Sequence, residues 1–404
     1  MFSSISENLA RLRKAQDMSQ IQLAHAAGVG VDTVGRIERG ERSTVRPETL
    51  ARLAKALNTT PARLIGVQGD SAAAEERAAD TILRRAITAE SDVPGLADFA
   101  DDVEVVGADQ LARTAHRAWQ AYVSGNHREL IQALPALLVD ARRLVHDSEG
   151  DHKATAYRHL SAAYRLGAGM AGRLNMDDLA WTAAKRALDS ARKSDAVEVE
   201  SAISLRYMVW TLVRQQRDEE AEMVATKAAE QIEPRMLDRD QARTGIFGNL
   251  IFNAASAALR SGSRRRAEDL LVVAQSAAVR AAHDMANEAA IFGPRVAAFQ
   301  LVDHKMRLGD PEAALRLAGR VPPPRGDVPA FWESGHQLHL AHAAAQIRQD
   351  QRALSYLATA KRLAPDWARR QPLATTTMQM LLDRATRRRG SEFAKLAAHY
   401  GLSS

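Results

Sequence analysis

From about residue 108 onward the 404-residue chain contains no run with the β-branched alternation of a strand, and Ala/Leu-rich helical patterns are broken by short turn signals at a near-constant spacing. The signals are Gly125-Asn126, Leu174-Asn175, Arg217-Asp218, Gly262-Ser263, Gly309-Asp310 and Arg348-Gln349. An interval of roughly 40 to 50 residues accommodates two helices with their connections, so the pattern predicts helix pairs stacked into an α-solenoid. After each turn an apolar residue falls at a similar offset: Leu130, Ala180, Ala221, Ala267, Ala314 and Ala353. These are the expected contact points between stacked helices.

The amino-terminal part reads differently. Between Ser19 and Gly40 two short helical patterns meet at a glycine turn, a spacing that suits steeply crossed helices with one free to enter a DNA groove. Ser19 is placed to cap the first helix, and Leu23, Ala24 and Ala27 form its inward face. Gly28 supplies a left-handed turn, and Val29, Val34 and Ile37 anchor the second helix. Val31, Asp32, Thr33, Gly35 and Arg36 then form an outward, DNA-contacting set. Arg36 can donate two hydrogen bonds to guanine, Asp32 can accept from the cytosine amino group, and Val31 can pack on a thymine methyl. Gln20, Arg39 and Arg42 are placed to hold phosphates. Charge agrees with this reading: residues 1–70 carry 10 Lys+Arg against 7 Asp+Glu, so half of the net +6 lies in a small part of the length. Arg36, Arg39, Arg42 and Arg46 form the expected patch.

These residues, with Leu9, Leu12, Arg13, Pro47, Leu50, Leu53-Ala54, Leu57 and Leu64, resemble the phage-repressor (Xre-like) helix-turn-helix family over residues 5–66. The resemblance implies a five-helix domain that binds double-stranded DNA, and an ion pair between Arg13 and Glu38. The recognition-helix cap, commonly Ser or Thr in that family, is Gly30 here, with Val31 and Asp32 where polar base readers are usual. The DNA sequence read therefore does not transfer from relatives.

The expected organisation is an all-α chain with three parts. A helix-turn-helix head spans 1–66; a linker and bridging helix span 67–107; a tetratricopeptide-like helical array spans 108–404. Leu340-Ala341 followed by Ala353-Leu354, Leu357, Ala360 and Pro365 is similar to the tetratricopeptide pattern, and Gly309-Asp310-Pro-Glu-Ala-Ala-Leu315 resembles its turn. The block from Phe292 to Pro365 resembles the sensor half of a bacterial group that joins an Xre-like head to such repeats. That resemblance implies transcriptional regulation by a peptide or small-molecule effector. On the helices expected to line the concave side, Arg206/Trp210, Asn249/Asn253 and Gln300/His304 are pairs four apart and so share a face. Asn249 and Asn253 suit an extended peptide best, since two amides offer both donors and acceptors.

Other chemistry is disfavoured. The chain has no Cys, which excludes disulfides, thiolate zinc sites and a cysteine nucleophile, and fits a reducing cytoplasm. Neither a secretion signal nor a membrane span is evident. Gly167-Ala-Gly169-Met-Ala-Gly172 matches a dinucleotide loop by letters, but a helical pattern precedes it, so close helix packing is the better account. His336, His339 and His342 step around a helix without converging, and no metal or cofactor is expected. No activated Ser, paired-carboxylate motif or phosphate loop is present, and catalysis is not expected. A single head buries little DNA, so a homodimer reading half-sites about 34 Å apart, or a multiple of that, is expected. A docking scaffold with a DNA-localising head, or an antitoxin-like partner, are the alternatives.

Overall fold

The computed structural model describes residues 5–16, 18–41, 45–65, 80–89, 106–235, 240–384 and 390–402. The helices of the head are α1 (Ile5–Ala15), α2 (Gln20–Ala27), α3 (Val31–Glu38), α4 (Pro47–Ala56) and α5 (Pro61–Leu64). The described part of α6 covers 80–88. There follow α7 (Ala108–Ser124), α8 (His127–Asp147), α9 (Gly150–Arg173), α10 (Asp177–Ala191), α11 (Val197–Arg214), α12 (Asp218–Ile232), α13 (Gln241–Arg260) and α14 (Arg264–Ala281). Strands β1 (Met285–Ala286) and β2 (Ile291–Phe292) precede α15 (Pro294–Arg307), α16 (Pro311–Ala318), α17 (Ala330–Gln346), α18 (Asp350–Leu363), α19 (Pro365–Arg369), α20 (Pro372–Asp383) and α21 (Ser391–His399). The protein is all-α. The residues group into two units, 79–332 and 1–78 with 333–404. Of the linker and bridging helix expected over 67–107, residues 67–79 and 90–105 lie outside the described residues.

Each anticipated turn is built the same way. One or two residues past the first helix of the pair the backbone is left-handed: Gly125, Asn175, Gln216, Gly262, Gly309 and Arg348 have φ between 60° and 88°. The next amide then reaches back to the helix: Asn126 to Ala121 O, Met176 to Ala171 O, Arg217 to Leu212 O, Ser263 to Ala258 O, Asp310 to Lys305 O and Gln349 to Ala344 O. That is the closure of a Schellman turn, which satisfies carbonyls the helix end would leave bare. The six apolar residues at the common offset are all fully buried, from Leu130 to Ala353. Glycine at the two long-side-chain turn positions relieves left-handed strain but adds freedom to the unfolded chain. Gln216→Gly and Arg348→Gly are each expected to stabilise by roughly 0.5–1 kcal/mol, read as a higher denaturant midpoint.

In unit 79–332 consecutive helices pack as neighbours from α7 to α16, and α7, α9, α11 and α13 also meet side by side, which is the arrangement of a stacked array. The small residues of α9 allow this. A Cβ on Gly167 would meet Ile87 of α6, on Gly169 the Tyr122 ring at 2.8 Å, and on Gly172 the Trp210 ring at 2.4 Å. The letters of the dinucleotide pattern are thus packing notches for three neighbouring helices.

One feature departs from the strand-free expectation. β1 and β2 form an antiparallel ladder, Met285 opposite Phe292 and Ala286 opposite Ile291, that lies on α13. Gly245 and Gly248 admit it, since a Cβ there would stand 2.7 Å from Met285 Sδ and 2.0 Å from the Phe292 ring. The hairpin base is clamped by buried Asp284, whose Oδ1 accepts from Arg295 N (2.9 Å) and Oδ2 from Arg325 N (3.2 Å).

In the other unit, α1–α5 enclose a core of Leu9, Leu12, Leu23, Val34, Ile37, Leu53, Leu57 and Leu64. Residues 333–404 have a separate core that includes Leu338, Leu357, Met378, Leu381, Phe393 and Tyr400. Within this unit α1 also touches α20 and α21.

Candidate nucleic-acid interface

Helix α2 begins with a reciprocal cap: Ser19 Oγ accepts from Gln22 N, and Gln22 Oε1 accepts from Ser19 N. It ends at Gly28, whose φ of 61° turns the chain sharply into α3. Behind α3 the Glu38 carboxylate is 7% exposed and accepts from Arg13 Nε (2.6 Å), Arg13 Nη2 (2.8 Å) and Gln20 Nε2 (2.7 Å). Arg13 also donates to Met18 O. This bidentate ion pair ties α1, the start of α2 and the end of α3 into one rigid frame.

The opposite face of α3 is open. Val31 is 44% exposed, and the Arg36 and Asp32 side chains are 58% and 69% exposed. Those two pair with each other at 2.9 Å across one turn, so without DNA the proposed guanine donor and cytosine acceptor neutralise one another. Thr33 is half-buried. Arg39 is exposed and bonded to Glu41 at 2.6 Å, which raises the guanidinium pKa and lowers that of the carboxyl. Two sequence expectations change. Gly35 is buried instead of outward-facing, because the Arg39 guanidinium lies over it, 3.0 Å from where a Cβ would stand. The Gln20 amide nitrogen, expected on a phosphate, is held by Glu38. Arg42 lies outside the described residues, while Arg46 is exposed at the start of α4. Sequence reasoning passed over Ile21, which is 67% exposed beside Gln20; its apolar character gave no signal for a solvent-facing position.

The array's candidate residues are less uniform. Asn249 Nδ2 donates to the Ile291 carbonyl (2.6 Å), so an extended segment does lie against it, and that segment is the chain's own hairpin. Asn253 Nδ2 donates to Asn249 O within α13. His304 is buried, which pushes its imidazole pKa down, and Gln300 is partly exposed. Trp210 fills the Gly172 notch, and the Arg206 guanidinium stacks on the Tyr207 ring at 4.5 Å. A cavity of about 360 Å³ separates His116, Trp119 and Gln120 of α7 from the hairpin tip, residues 286–289.

A capped helix, a left-handed glycine turn and a second helix braced from behind with a polar outer face define a helix-turn-helix DNA-binding protein. The family model described as helix-turn-helix matches residues 9–64, and the chain belongs to that family. It is similar to control protein C.SmaI of Serratia marcescens, 42% identical over 65 residues that make up 16% of this chain and 76% of that protein. Both matches mark the protein as a DNA-binding transcriptional regulator. Among the described residues no helix is long and apolar enough to cross a membrane.

Proposed function

We propose that this chain regulates transcription by reading operator DNA through α3 as a homodimer, and that its tetratricopeptide-like array receives a peptide or small-molecule effector. The exposed Val31–Asp32–Arg36 face on a helix fixed from behind by Glu38 carries the DNA part of this reading. Groove entry would break the Asp32–Arg36 pair and offer both side chains to base edges. Because that pair is exposed, its loss is a small cost beside a bidentate contact to guanine. Repeated helix pairs with common turns support the array part. An effector would act through different affinities for two spacings of the paired heads.

Selection from randomised duplexes tests the DNA reading directly. Arg36→Ala is expected to lose roughly 1–3 kcal/mol and relax one base position, while Arg42→Ala weakens all sequences alike and flattens the salt dependence. An unchanged base preference in Arg36→Ala would remove its readout role.

A further inference from the structure

The outer edge of β1 is paired at Asp284 and open at Ala286. Asn287 N donates to Ala290 O (3.1 Å), so the alternation of an antiparallel ladder makes Met285 and Phe292 the next bonded pair and Ala286 and Ile291 the unbonded one. The N–H and C=O of Ala286 therefore point away from β2. On that outer side residues 325–327 run parallel to β1 and are bonded to it through Asp284. The next bonds of that ladder would join Ala286 N to Asp327 O and residue 329 N to Ala286 O, but Pro329 has no N–H to give. Among the described residues neither backbone group of Ala286 has a hydrogen-bond partner, and an open strand edge is a template for another chain. Ala286 also lines the cavity of about 360 Å³ beside α7, a size within the ordinary range for small-ligand pockets. Trp119 and Ala289 add apolar wall. His116 and Gln120 bond each other at 3.4 Å, whereas Glu288, also on the wall, has neither a hydrogen bond nor an ion pair among the described residues.

We infer that this cavity takes a short extended peptide as an added strand: one peptide residue exchanges N–H and C=O bonds with Ala286, and a basic group of the peptide meets Glu288. The inference deepens the effector reading above and rests on it. It moves the peptide from Asn249, whose amide the hairpin already engages, to the free edge of the hairpin itself. An edge that offers one donor and one acceptor recognises backbone, which every peptide carries, and side-chain contacts beside it then select among sequences. Here the unpaired carboxylate selects a cation, either the peptide's ammonium terminus or a Lys or Arg side chain, and repels an acid.

Hexapeptides randomised at every position and displayed with free amino termini are selected on the immobilised full chain; the most enriched one is then synthesised and titrated by tryptophan fluorescence. Its affinity is expected to fall about tenfold in Glu288→Gln, which keeps the shape and removes the charge. Ala286→Pro removes an N–H that the hairpin does not use, at an edge position where proline is tolerated, and is expected to cost a similar factor of about ten. Methylating the peptide nitrogens one at a time reads the same pairing from the other side, and a loss of about tenfold is expected at the residue opposite Ala286. Should circular dichroism show Ala286→Pro to be misfolded, the methylation series decides. Acetylating the peptide and replacing its Lys or Arg by norleucine separate the two cations: the change that weakens binding names the group at Glu288. No enrichment over the unselected pool, equal binding to wild type, Ala286→Pro and Glu288→Gln, or a peptide that tolerates methylation at every nitrogen would each overturn the assignment. Operator affinity is measured with and without the peptide. Binding at Ala286 that leaves operator affinity unchanged keeps the site and refutes signalling through it, whereas an operator response that persists in both variants keeps the effector reading and refutes the site.

Discussion

Replacing Glu38 by alanine is expected to destabilise the head by about 3–5 kcal/mol and to abolish DNA binding, although Glu38 points away from the proposed DNA face. The cost does not come mainly from the lost Coulomb attraction. Arg13 is 12% exposed, and without its partner it is left as a nearly dry charge with two unbonded donors, while Gln20 loses its acceptor. Breaking a buried pair from one side is the expensive case. A five-helix head with a core built on about a dozen aliphatic side chains has little stability in reserve. Glu38→Gln keeps an acceptor for Arg13 without the charge and is expected to lose about half as much. Hydrogen exchange of α2 and α3 amides in the full chain, alongside duplex binding, checks this. Native-like protection of α3 in Glu38→Ala would show that the apolar core alone holds the recognition helix.

The second large effect is expected at the hairpin clamp. Asp284→Ala should cost unit 79–332 about 3–5 kcal/mol, because two partly buried backbone donors, Arg295 N and Arg325 N, lose charge-assisted bonds to a buried carboxylate together. Asp284 also exchanges backbone bonds with the 325–327 segment, donating to Arg325 O at 2.6 Å and accepting from Asp327 N at 3.2 Å. Gly326→Ala attacks the same joint from the other side. Gly326 has φ of 107°, and a Cβ would stand 2.2 Å from the Asp284 carbonyl oxygen, a backbone atom held on both sides and unable to yield. Both variants should lower the denaturant midpoint and open 283–293 to proteolysis. A hairpin that stays protease-resistant in Asp284→Ala would mean that Phe292 in the Gly248 notch suffices to hold it.

Legibility of the fold followed the kind of information each element needs. The array's turns were readable because a left-handed residue recurs at a fixed period, often as Gly or Asn, whose side chains tolerate that conformation. Gln216 and Arg348 carry no such preference; spacing pointed to Arg348, but it set the other turn at Arg217-Asp218, one residue past the left-handed Gln216. The Gly167–Gly172 run was readable as packing because small residues on a helix have few other uses. The Arg13–Glu38 pair came from resemblance; nothing in the spacing of two residues 25 apart specifies a contact. The β hairpin was invisible, since two-residue strands are too short to show alternation and their place is set by Gly245 and Gly248 on another helix. Gly35 was misplaced for a related reason: its burial depends on where the Arg39 side chain folds back, not on its own helical position.

Sequence alone determined the helical class, the period of the array, the turn that sets α2 against α3, and which polar groups α3 carries, because these depend on residue type, local periodicity and the conformational limits of individual residues. Tertiary structure decided which of those groups remain available. It engaged Gln20 with Glu38, paired Asp32 with Arg36 and laid the chain's own strand across Asn249. The reason is physical: a hydrogen-bonding group reveals its type in one dimension, but its partner is selected by distance, and distance exists only once the helices have packed.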